Sequence, residues 1–183
     1  MRIAGENGVA AYGVIMYANF LFMAVFFGYS IGSAPVISFH YGAGNHDELK
    51  NLFRKSLILV GISGVIMTLA SELFAAPLVR IFAGYDPDLY AMTVRGFQLY
   101  CFAFLLMGIN VFASAFFTAL SNGGVSAAIS FLRTFLLQIA AVILLPVFFG
   151  IDGIWLAVVA AEFLTLLITI LFLVKNAGKY HYA

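Results

Sequence analysis

Apolar residues fill the chain in five long blocks, broken by short clusters of charge, glycine and proline. Between Glu6 and Asp47 no residue carries a formal charge. The segments that bracket this stretch, GENGVAAYG and HYGAGNHDELK, have the glycine and polar content of loops. The pattern predicts a first helix over about 12–39, long enough to tilt in a bilayer or extend past it. A second helix is expected over about 52–75, after Lys50, Arg54 and Lys55. The following segment, APLVRIFAGYDPD, reads as a loop, with Pro77 near its start and a turn at GYDPD. The third helix, about 89–119, ends at the stop cluster SNGG. A fourth, about 125–146, stops near Pro146, where FFGIDG turns the chain into a fifth over about 153–175. These blocks lack the alternation of apolar and polar residues that barrel strands need.

Composition decides the solvent. Of 183 residues, 64% are hydrophobic and 9% charged, and the mean hydropathy is +1.07. Soluble domains carry roughly 25% charged residues, so this chain cannot cover a water-exposed surface. The expected fold class is all-α and integral to the membrane. A hydrocarbon core of about 30 Å takes roughly 20 helical residues, so the length admits five or six spans. The net charge of +1 offers no basic footprint for nucleic acid. A single cysteine, Cys101, excludes an intrachain disulfide and reads as a small buried hydrophobe.

Lysines and arginines set the orientation. Lys50, Arg54, Lys55, Lys175 and Lys179 fall at one end of an up-down bundle, and Arg2, Arg80 and Arg95 at the other. The positive-inside rule then puts the C-terminus and the first connection in the cytoplasm. The N-terminus falls outside, which predicts a further helix before Met1.

Polar residues inside spans carry the remaining information. On the first helix Tyr12, Asn19, Ser30 and Ser33 lie within about 60° of one another at 100° per residue. On the third, Met107, Asn110, Ser114 and Thr118, with Ser121, share a face about 80° wide. Two readings stand: the stripes line a polar cavity, or they join helices as small and hydroxylated residues commonly do. Arg133 and Glu162 lie deep in the fourth and fifth helices, and each costs about 2.5–3.5 kcal/mol on insertion scales. Their depths differ by about 6 Å, which two long side chains can close, with Thr165 and Thr169 on the face of Glu162. Such an ion pair either fixes the packing of two helices or loosens during transport; alternatively Arg133 snorkels to the interface. Gly28 and Gly32 have the Gly-x-x-x-Gly spacing of close helix contacts, and Pro35 weakens the helix after them. His40, His46 and His181 lie in loops or tails with no metal-ligand spacing. No catalytic motif is present, so neither an enzyme nor a bound metal is expected.

GYSIGSAPVISFHYGAGNHDELK resembles the second helix and cytoplasmic loop of a lobe in the multidrug and toxic compound extrusion (MATE) transporters. GENGVAAYGVIMYAN resembles the external turn before that helix. FFTALSNGGVSAAISFLRTFLLQIAAVILLPVFFGIDGIWLAVVAAEFLT resembles the last helices of the MepA-like branch. The resemblance spans nearly the whole chain. It implies five helices of a six-helix C-terminal lobe, within a twelve-helix transporter whose substrate cavity lies between two lobes. The partners it implies are the lipid bilayer, the missing N-terminal lobe and first helix, and small amphipathic or cationic substrates. It implies Na⁺- or H⁺-driven antiport by alternating access in a bacterial inner membrane, without a cofactor. One branch couples through a carboxylate on the tenth helix; the matching stretch here, LLMGINVFASAFF, has Met107 and Asn110 and no acid. A second couples through an aspartate of the absent lobe, so no coupling-ion site is expected in this chain. A lipid-intermediate flippase of the same superfamily and a self-assembling, non-transporting membrane protein are the alternatives.

Overall fold

The computed structural model describes residues 5–183; Arg2, counted above in the charge asymmetry, lies outside the described residues. Five helices run up and down: α1 Gly5–Gly42, α2 His46–Ala83, α3 Pro87–Ala119, α4 Gly123–Phe149 and α5 Ile151–Tyr180. Among the described residues there is no strand. At about 1.5 Å per residue, each exceeds the thickness of the hydrocarbon core, and each is apolar enough to cross it.

The connections are tight because side chains cap the helices. The Asn45 side chain accepts from the Glu48 N–H at 3.2 Å, after Gly44 turns the chain at φ +67°. Asp86 accepts from the N–H groups of Asp88 and Leu89, with Pro87 in the first turn, where its missing N–H costs nothing. Asn122 accepts from Val125 N–H at 3.3 Å.

The helices outrun their sequence boundaries. GENGVAAYG is helical from Gly5, and HDELK opens α2 rather than forming a loop. APLVRIFA, expected as a loop, continues α2 through Pro77. Val79 and Ala83 of this segment, with Ala75 just before it, are buried in the bundle core, so packing offsets the hydrogen bond that proline removes. α4 likewise passes Pro146 and ends at Gly150, whose φ of +58° makes the turn.

α3 packs against all four other helices and forms the core of the bundle. Towards the Gly84 and Gly150 turns, Ile15, Phe97, Tyr100, Phe104 and Trp155 are fully or almost fully buried. Towards the opposite end an aromatic cluster of Phe53, Phe112, Phe116, Phe117 and Tyr182 closes the bundle. Close helix approach does not occur at Gly28 and Gly32, where an added Cβ meets nothing within 4 Å. It occurs at Gly64, where a Cβ would lie 2.7 Å from Phe104 O, and at Gly108, 2.6 Å from the Phe26 ring. Which glycine faces a neighbour depends on helix rotation, not on spacing alone.

Candidate functional site

A cavity of about 320 Å³ opens among α1, α3, α4 and α5. Tyr12, Met16, Asn19 and Met23 wall it from α1; Tyr100 and Met107 form its α3 side. Arg133, Thr134 and Gln138 enter from α4, and Val158 and Glu162 from α5.

A charged pair lies in its wall. Glu162 is 4% exposed, and Arg133 Nε donates to its Oε1 at 2.6 Å. Asn110, fully buried, donates through Nδ2 to Glu162 Oε2 at 2.8 Å and to the Glu162 backbone oxygen at 3.0 Å. Each carboxylate oxygen therefore has a donor, as a carboxylate in a low-dielectric interior requires. Arg133 Nη2 lies 3.7 Å from Met23 Sδ, so the guanidinium reaches across the cavity to α1. Arg133 does not snorkel. It sits in a π-helical segment, Leu132–Leu137. The wider turn changes the direction of side chains relative to a regular helix, and such segments are frequent at functional sites.

The two polar stripes divide between lining the cavity and joining helices. Tyr12, Asn19 and Met107 line the cavity. Asn110 is sealed behind Glu162 rather than exposed to it. Ser30 is buried without a hydrogen-bond partner for its hydroxyl, and Ser33 Oγ donates to the Ser30 backbone oxygen at 3.2 Å; neither lines the cavity. Ser114 bonds the hydroxyls of Ser126 and Ser130 at 3.0 and 2.8 Å, and Thr118 bonds that of Ser126 at 2.7 Å. This hydroxyl cluster ties α3 to α4. Thr165 and Thr169 are buried on α5, and Thr165 Oγ1 returns its bond to Ala161 O. The acceptor oxygens of Asn19 and Asn110 are both buried and unpartnered.

A third intramembrane charge escaped the sequence reading. Glu72, within α2, accepts from Cys101 Sγ at 3.3 Å, and Thr68 Oγ1 donates to the Cys101 backbone oxygen at 3.1 Å. A count of acids within each expected span would have found it. At the far end Arg95 bonds Asp152 through Nε at 2.9 Å, joining α3 to α5 at an exposed edge. Among the described residues no group of three or more metal-ligating side chains assembles.

An ion pair sealed against a lateral cavity defines a multi-pass membrane bundle built around a polar interior site. The chain belongs to the MatE family, whose model matches residues 1–144. Its fold is similar to that of a multidrug resistance MATE family transporter of the MOP superfamily in an inward-facing conformation. There the TM-score is 0.89 at 18% identity, over 97% of this chain and 41% of that one. An outward-facing conformation gives a TM-score of 0.89 at 17% identity, over 98% and 41% of the two chains. The Vibrio cholerae MATE transporter VcmN in its bent form gives 0.88 at 19% identity, again over 98% and 41%. The chain thus spans about two-fifths of the length of these structures. No curated protein matches it in sequence.

Proposed function

We propose that the chain forms five helices of the six-helix C-terminal lobe of a cation-coupled efflux antiporter of the MepA-like MATE branch, working by alternating access. Its substrates are small amphipathic or cationic organic compounds, and Na⁺ or H⁺ supplies the driving force. The observation that carries this reading is the Arg133–Glu162–Asn110 constellation at the side of an open cavity. A purely structural ion pair has no need of a cavity beside it, whereas a site that exchanges partners does. Tyr12, Met16, Met23, Tyr100 and Met107 give the cavity aromatic and thioether walls, suited to flat organic cations of varied shape.

Family membership supports transport, and the equal likeness to inward- and outward-facing relatives supports a lobe that keeps its fold while its surroundings change. The positive-inside rule favours a cytoplasmic C-terminus in a bacterial inner membrane. Arg133 is engaged by Glu162, which leaves it poorly placed to hold a flippase's pyrophosphate and favours the antiporter. The test is accumulation of a fluorescent cationic dye in cells expressing the intact protein. Expression should lower accumulation, and collapse of both the proton and sodium gradients should restore it. Unchanged export after both gradients collapse would contradict antiport.

A further inference from the structure

A second groove lies at the opposite side of the bundle, between α2 and α5 near the first connection. Two adjoining pockets of about 450 and 390 Å³ share Phe53, Leu57, Tyr182 and Ala183 and so form one continuous groove. Lys50, Arg54 and Ile58 wall the first, and Ile170, Leu173 and Val174 the second. The groove is an apolar trough along the helices, bordered at the helix end by the stems of Lys50 and Arg54, whose charged heads stand exposed beside it.

Its floor is built rather than incidental. Tyr182 Oη donates to Leu173 O at 2.7 Å, and its ring lies 4.8 Å from Phe53 and 4.9 Å from Phe116. Burial, with Tyr180 nearby, pushes the Tyr182 phenol up, so it remains the neutral donor this bond needs.

Charge selects the occupant. Lys50 and Arg54 stand four residues apart on one face of α2, and among the described residues neither is in a salt bridge. This end of the bundle also carries Lys55, Lys175 and Lys179 against Asp47 and Glu48, while the other end carries Glu6, Asp86, Asp88 and Asp152 against Arg80 and Arg95. A ligand with an anionic head and long apolar tails fits both parts at once, and basic pockets between helices at a membrane interface take acidic lipid head groups.

We infer that the α2–α5 groove binds an acidic phospholipid, with Lys50 and Arg54 on its phosphate and the acyl chains along Leu57, Ile170 and Val174. This inference is independent of the transport reading.

The test is native mass spectrometry of the intact protein in detergent supplemented with either phosphatidylglycerol or phosphatidylcholine. The protein should retain phosphatidylglycerol at least fivefold better than phosphatidylcholine. Lys50→Gln/Arg54→Gln should lose that preference, while Arg80→Gln, at the far end, should keep it. Val174→Trp, which fills the trough but leaves the charges intact, should also reduce retention. Melting curves for each variant establish that the fold survives; should the double variant not fold, the single Arg54→Gln variant and Val174→Trp carry the comparison. Equal retention of the two lipids, or undiminished preference in folded variants of the groove, overturns the proposal.

Discussion

Asn110 and Arg133 divide the solvation of Glu162 between them, one donor to each oxygen. Removing one partner leaves a buried charge uncompensated, which typically costs about 3–5 kcal/mol. Glu162→Leu and Arg133→Leu should therefore each lower stability by about that amount, whereas Arg133→Leu/Glu162→Leu should cost less than either single change. Chemical unfolding in mixed micelles measures the cycle, and strictly additive losses would contradict a coupled pair. Asn110→Ala should cost about 1–3 kcal/mol, because Glu162 Oε2 is left without its donor; the same unfolding measurement checks it. The pair was legible in the sequence because two charges stood alone in two apolar helices, at depths long side chains can bridge. The seal made by Asn110 was not, since a helical wheel places residue and stripe but not the depth at which a neighbouring helix crosses.

Along the elements, glycine decides how closely helices approach. Gly64→Ala should force α2 away from the α3 backbone and lower stability by about 1–3 kcal/mol. Gly61→Ala, on the same helix with nothing within 4 Å of the added Cβ, should be neutral or gain up to about 1 kcal/mol from helix propensity. Melting temperatures of the two variants provide the check, and equal destabilisation would contradict the packing described. The spans themselves were readable from unbroken apolar runs. Their true ends were not. APLVRIFA has a proline and an arginine, and burial of Val79 and Ala83, with Ala75 before them, favours its helix against both. Hydropathy records preference for lipid, so it is blind to helix that continues beyond the bilayer on tertiary contacts. The same blindness separates Gly28 and Gly32, which carry the familiar spacing without a neighbour, from Gly64 and Gly108, which have neighbours without the spacing.

For the whole molecule, the bundle leaves much of its α1 and α4 surface uncovered: Tyr17, Phe20 and Ile31 on α1 and Val147 and Phe148 on α4 are among its most exposed apolar residues. Lipid covers such a face without cost, and so does a second lobe. The cavity takes part of its wall from each of these two helices, so in the proposed transporter a second lobe packed on them would lie near Arg133 and Glu162. The class of the molecule was legible from composition and the ordered segments of the chain. The cavity was only half legible, because Met16, Met23 and Tyr100 look like core residues until the helices are assembled. The most direct measurement is dye efflux from proteoliposomes containing the intact protein, driven by an imposed Na⁺ or H⁺ gradient, with Glu162→Gln compared against the unaltered protein. Gradient-dependent efflux is expected, and Glu162→Gln should lower it at least tenfold, a loss of about 1.4 kcal/mol or more, while the variant remains folded. Full gradient-driven efflux by folded Glu162→Gln protein would contradict this expectation.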